Sequence, residues 1–171
     1  MAISDSTTSS LISPALHSFS EACKIRKLKE DKKIVLTNGC FDLLHAGHVY
    51  SLEEASKLGD ELWVALNSDN SIRHLKGPDR PIYNQRQRAY LLGSLSFVSL
   101  IFIFDHSDLS SEIKGIRPHC YVKSGDYTLD KLNSSEHDAL KEVCAKIVFV
   151  PFIGGMSTSN TIESIKSCSR T

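Results

Sequence analysis

The 171 residues carry 20 basic and 20 acidic side chains, so the chain is neutral overall, and 41% of it is apolar. That length suits one domain with a real core, and the charge balance excludes general binding to nucleic acid or to an anionic membrane surface. No apolar run approaches the ~20 residues of a membrane span; the Ser/Thr-rich start lacks the features of a secretory signal; and the five cysteines, odd in number and without a Cys-x-x-Cys, read as reduced thiols of a cytoplasmic protein.

In chain order, Met1 to Ser10 is polar and expected to be disordered. From Pro14 to about Glu30, Leu16, Phe19, Ala22, Cys23 and Leu28 recur at roughly helical spacing, which predicts a lead-in helix before a domain spanning 31–171. Ile34-Val35-Leu36 is a first strand. It runs into Thr37-Asn38-Gly39-Cys40-Phe41-Asp42-Leu43-Leu44-His45-Ala46-Gly47-His48-Val49, after which Val49, Leu52, Ala55 and Leu58 mark one face of a helix, with Gly59 as its C-cap. Strand, glycine turn and helix start make an anion site, because the first N–H groups of a helix lack partners and lie at its positive end. His45 and His48 share one face there, as befits groups stabilising charge on a transferring phosphoryl group. A metal pair would need further ligands at suitable spacing, and none stands nearby, so no metal site is expected.

Glu61 to Leu66 is a second buried strand ending in Asn67-Ser68-Asp69, at the sheet edge where open α/β folds bind ligands. Asp69 there suits either a substrate hydroxyl or the cap of the next turn. Arg73 to Pro81 reads as a loop, and between Arg73 and Arg88 five basic residues (Arg73, Lys76, Arg80, Arg86, Arg88) face one acid, Asp79. That patch suits a small polyanion, with Lys76 beside Gly77 reaching phosphates. Asn84 to Leu95 is a helix, and Phe97 to Phe104 a strongly apolar third strand, central in the sheet. Asp105 to Gly115 is a short helix capped by Ser107 or Asp108. Cys120 to Lys123 is a fourth strand entering the turn Ser124-Gly125-Asp126-Tyr127; Asn133 to Ala145 is helical; and Lys146 to Phe152 is a fifth strand. Gly154-Gly155-Met156 and the hydroxyl run Ser157-Thr158-Ser159 open the last helix and offer donors to phosphate. The alternation predicts a Rossmann-like, doubly wound α/β fold with a five-stranded parallel sheet and helices on both faces.

Gly39-Cys40-Phe41-Asp42 with His45-Ala46-Gly47-His48 resembles the signature of the cytidylyltransferase-like nucleotidyltransferases. Leu75-Lys76-Gly77, Arg80-Pro81, Val122 to Tyr127 and Met156 to Asn160 extend the likeness to the adenylyltransferase domains of ADP-heptose synthesis, in a stand-alone form. The resemblance implies transfer of AMP from ATP to a heptose 1-phosphate, with Mg²⁺ carried by the nucleotide and pyrophosphate leaving. It implies that His45, His48 and Lys76 are catalytic. Gly39, Cys40, Phe41, Arg88, Gly125, Asp126, Ser157, Thr158 and Ser159 would join the histidines on the nucleotide. Asp42, Asp69 and Tyr127 would join Lys76 on the acceptor. Ser124 replaces the usual first glycine of Gly-Gly-Asp, and Met156 leans toward the glycerol-phosphate cytidylyltransferases. A cytidylyltransferase acting on glycerol 3-phosphate and a non-catalytic nucleotide-binding regulator are the alternatives. Partners are small molecules, without nucleic acid or membrane, and a homodimer is a habit of the family.

Overall fold

The computed structural model describes residues 11–125, 128–151 and 158–168. Its strands are β1 (Leu16–His17), β2 (Ile34–Gly39), β3 (Glu61–Asn67), β4 (Val98–Phe104), β5 (Cys120–Ser124) and β6 (Lys146–Val150). Its helices are α1 (Phe19–Leu28), α2 (Ala46–Ser56), α3 (Asp69–Lys76), α4 (Gln85–Gly93), α5 (Ser110–Ile116), α6 (Ser134–Glu142) and α7 (Thr158–Cys168). All pairings are parallel, and the order is β1-β4-β3-β2-β5-β6.

The sheet therefore has six strands where the sequence predicts five. The added strand lies inside the segment read as helical. Ser18 caps α1 in a reciprocal capping box with Glu21, so the helix starts at Phe19 and the two residues before the cap extend beside Ile101 and Phe102. β4 is second from one end of the sheet and not central. Its apolar run reflects burial on both faces, which a parallel sheet between two helical layers imposes on any inner strand.

Side-chain alternation divides the core in two. Ile34, Leu36, Trp63, Ala65, Phe102 and Tyr121 pack on one face with Ala22 of α1, Ile113 of α5 and Leu140 of α6. Val35, Leu62, Val64, Leu66, Ile101 and Val122 pack on the other with Leu52 and Ala55 of α2 and Ala89 and Leu92 of α4. This is the doubly wound arrangement expected, with helices on both faces.

Three local expectations change. α3 continues through Lys76 where a loop is predicted; Ser68 caps it by accepting the Ser71 N–H at 3.0 Å, and Gly77 ends it at φ 97°. α5 starts at Ser110, and neither Ser107 nor Asp108 is its cap; Asp108 accepts the Ser110 N–H while Glu136 accepts that of Leu109. Gly59 is no C-cap, since α2 ends at Ser56 followed by Lys57 in right-handed helical conformation. Its missing side chain serves packing instead: a Cβ there would lie 2.5 Å from the Lys33 carbonyl oxygen. No helix among the described residues is long and apolar enough to cross a membrane. Met1 to Ser10, Asp126, Tyr127 and Phe152 to Ser157 lie outside the described residues, as do the side chains of Ser159 and Asn160.

Candidate active site

Strand order reverses at β2, whose successors in the chain run one way (β3, β4) and then the other (β5, β6). The crevice at the carboxyl ends of strands beside such a switch is where doubly wound folds bind ligands. Here it is a cavity of about 490 Å³, reached by Asn38 and Gly39 from β2, Lys123 and Ser124 from β5, and Thr158 at the start of α7.

The turn from β2 into α2 is held open by packing. Phe41 takes φ 45°, a left-handed conformation that costs a non-glycine residue on the order of 1–2 kcal/mol. Its ring lies where a Cβ on Gly39 would stand only 2.9 Å from it, so residue 39 must be glycine for the ring to fit. That ring meets His48 edge-on at 5.3 Å, and His48 stacks on His45 with ring centroids 3.7 Å apart. Ser18, Ser68, Asn84 and Asn133 cap α1, α3, α4 and α6, but His45, at the N-cap of α2, makes no such side-chain bond. The N-terminus of α2 thus keeps its donors for something else. Among the described residues, His45 Nδ1 and Ser51 Oγ are also buried without a hydrogen-bond partner. Buried polar atoms are nearly always paired, and with Ser51 and His48 lining the cavity, a ligand is the natural partner.

Burial pushes the His48 imidazole down to about 4, reinforced by His45 and Lys76 and opposed by the backbone of Leu43. Burial also lowers His45. Burial thus favours the neutral form of both imidazoles, which can gain protons or donate hydrogen bonds when an anion arrives. The same shift carries a stability prediction. His48 titrates near 6.5 when unfolded and near 4 when folded, so between those values the unfolded chain binds more protons. The stability difference between the wild type and His48→Asn is expected to move against the wild type as pH falls from about 6.5 to about 4. Urea unfolding at four pH values reads this directly, and a constant difference would refute it.

The structure gathers some predicted residues at the cavity and gives others different tasks. Gly39, Cys40, Phe41, Asp42, His48, Lys76 and Thr158 line it, Lys76 exposed at the last turn of α3. Gly125 takes φ 115° beyond β5 and donates its N–H to Val150 at 2.9 Å. Asp42, expected on the acceptor, is 1% exposed; its carboxylate accepts from Arg80 and from the N–H groups of Ile82 and Tyr83, and so fixes the loop before α4. Asp69 neither caps a turn nor faces the cavity; it bonds Arg88.

Arg88, expected on phosphate, is fully buried beneath the site. It donates to Tyr83 O, Cys40 O, Asn67 O and Asp69 Oδ1 at 2.9, 2.7, 2.8 and 2.7 Å. It therefore ties the ends of β2 and β3 to the loop before α4. Asp126, Tyr127, Ser157 and the side chain of Ser159 fall outside the described residues. Sequence reasoning missed Ser51, Asn38, Lys123 and Glu136 on the cavity wall. Ser51 follows His48 by three residues on the same helical face, a signal that was available.

Comparison with known proteins agrees with this geometry. The model of the cytidylyltransferase-like family matches residues 36–168. The bifunctional protein HldE of Aliarcobacter butzleri is 47% identical over 146 residues, covering 85% of this chain but 29% of that protein. This chain thus spans less than a third of the length of that relative. Among solved structures, a lipopolysaccharide core biosynthesis protein from Thermoplasma volcanium superposes with a TM-score of 0.59 at 25% identity, covering 71% of this chain and 97% of that one. A pantoate-beta-alanine ligase from Francisella tularensis, at 14% identity and a TM-score of 0.52, covers 89% of this chain and 78% of its own, and shares the fold.

Proposed function

This chain is a nucleotidyltransferase that belongs to the cytidylyltransferase-like family, and we propose that it transfers AMP from ATP to a heptose 1-phosphate. The observation that carries the reading is the stacked His45–His48 pair over an uncapped helix N-terminus, at the carboxyl end of β2. That arrangement offers donors and latent positive charge to a triphosphate. The motif resemblance favours ATP and heptose phosphate, and the structural relative named for lipopolysaccharide core biosynthesis suits a sugar acceptor.

In this mechanism an oxygen of the acceptor phosphate attacks the α-phosphorus of ATP in line, forming one P–O bond as the bond to pyrophosphate breaks. Both reactants are anions, so positioning and charge neutralisation supply the catalysis and no protein nucleophile is needed. Cys40, with its thiol pushed up by burial, is a wall residue. His45 and His48 stabilise charge at the transferring group, and Lys76 meets the phosphates from the end of α3. The hydroxyls of Ser157, Thr158 and Ser159 are assigned to the outer phosphates. Mg²⁺ enters as part of the nucleotide substrate. Among the described residues, Asp42, Asp69 and Glu136 are each paired with an arginine or lysine.

Pyrophosphate release tests the reading, with ATP, CTP, GTP and UTP each offered with heptose 1-phosphate and with glycerol 3-phosphate. Release is expected with ATP and heptose 1-phosphate. Release only with CTP and glycerol 3-phosphate would keep the mechanism and overturn the substrates, and nucleotide binding without turnover on any acceptor would point to a regulator.

A further inference from the structure

The cavity wraps around the end of β2 and has two chemically unlike halves. On the α2 face are His48, with His45 stacked on it, Ser51 and, nearby, Lys76, all suited to phosphate. On the opposite face, Asn38, Tyr121, Lys123 and Glu136 form one connected network. Lys123 Nζ lies 2.9 Å from Asn38 Oδ1 and 3.2 Å from Glu136 Oε2, while the Tyr121 hydroxyl lies 3.0 and 3.1 Å from those same two oxygens. Ser107, Lys131, Leu132 and Asn133 also line the cavity.

Stability alone is a poor reason for this network. The Lys123 and Glu136 side chains are only 12% and 5% exposed, and a buried ion pair can often be replaced by apolar groups without loss. Its charges cancel, so it would not draw a phosphate, and the Glu136 carboxylate would repel one. It is, however, rich in both donors and acceptors. A carboxylate has about four lone-pair positions, and Glu136 uses three of them on Lys123, Tyr121 and the Leu109 N–H. Asn38 spends its carbonyl within the network, leaving its NH₂ as a donor. A network of mixed donors and acceptors whose own charges cancel matches a polyhydroxylated ligand, whose every O–H both gives and takes a hydrogen bond.

We propose that this half of the cavity is the polyol subsite, in which Glu136 accepts from hydroxyls of the acceptor sugar while Asn38 donates to them and Lys123 holds the two in place. It selects a sugar phosphate over a smaller phosphate ester. The assignment rests on the transferase reading above, and it adds residues that read the sugar to those that handle the phosphates.

The test is pyrophosphate-release kinetics on Glu136→Gln and Asn38→Ala with ATP and heptose 1-phosphate, its single-deoxy analogues and glycerol 3-phosphate. Each variant is expected to raise KM for the sugar phosphate about ten- to a hundredfold, the range for one unmade hydrogen bond to a buried polar group. KM for ATP should stay within about twofold. With the deoxy analogue that lacks the hydroxyl being read, wild type and variant should perform alike, which a purely structural role would not produce. Equal losses on all acceptors, or a parallel rise in KM for ATP, would overturn the subsite. Glu136→Gln retains an oxygen for the Leu109 N–H, and Asn38→Ala tests the network from a different strand, so a folding defect in one leaves the other decisive. Should the wild type use no sugar phosphate, the transferase reading fails separately. Calorimetric binding of heptose 1-phosphate to wild type and Glu136→Gln then decides the subsite, equal affinities refuting it.

Discussion

His48→Ala is expected to lower turnover by a hundred- to a thousandfold, equivalent to about 3–4 kcal/mol of transition-state stabilisation, while the protein stays folded. The side chain is half-buried at the cavity, braced by Phe41 on its edge and by His45 on its face. Its removal leaves the central strands untouched. Turnover and not nucleotide affinity should carry most of the loss, because a neutral imidazole gains its strongest interaction only as negative charge builds on the reacting phosphorus. Single-turnover measurements at saturating ATP separate the two, and a variant retaining near-wild-type turnover would remove His48 from the mechanism.

Arg88→Met is expected to destabilise the protein by about 3–5 kcal/mol, the usual result of removing one partner of a buried ion pair. The methionine nearly fills the volume but strands three carbonyl oxygens, on Tyr83, Cys40 and Asn67, together with the Asp69 carboxylate. Arg88→Lys should recover little, since an ammonium cannot span the same four acceptors as a planar guanidinium. The midpoint of urea unfolding should fall with little change in slope. Activity in the folded fraction should fall as well, because the end of β2 and the loop before α4 lose their common anchor. A full-strength fold with weakened triphosphate binding would instead restore the direct phosphate contact expected from the sequence.

What could be read from the sequence was local. His45 and His48 are three residues apart, the glycines flanking them punctuate a strand and a helix, and five strands announce themselves as apolar runs. Arg88 shows the limit of such reading. Its place in a basic stretch suggested a phosphate ligand, yet its partners come from the turn after β2, from β3, from α3 and from the loop before α4, and only the parallel crossovers bring them together. Asp42 and Arg80 are similarly distant in the chain, as are Asn38 and Lys123. Two residues of strand at Leu16 and His17 are too few to show a period of two, and the helical spacing that follows them masked the boundary at Ser18.

That short strand has a consequence for handling the protein. β4 is seven residues long and largely apolar, and Leu16 and His17 lie along its outer side while Ile101 gives its N–H to Ala15 O at 2.8 Å. A fragment cut at residue 31 would keep every residue of the cavity but leave that row of backbone groups bare. Unpaired strand backbone next to apolar side chains is a template for another chain to add to. Such a fragment is therefore expected to self-associate as its concentration rises, and the segment ahead of the signature acts as a guard on solubility as well as a part of the fold.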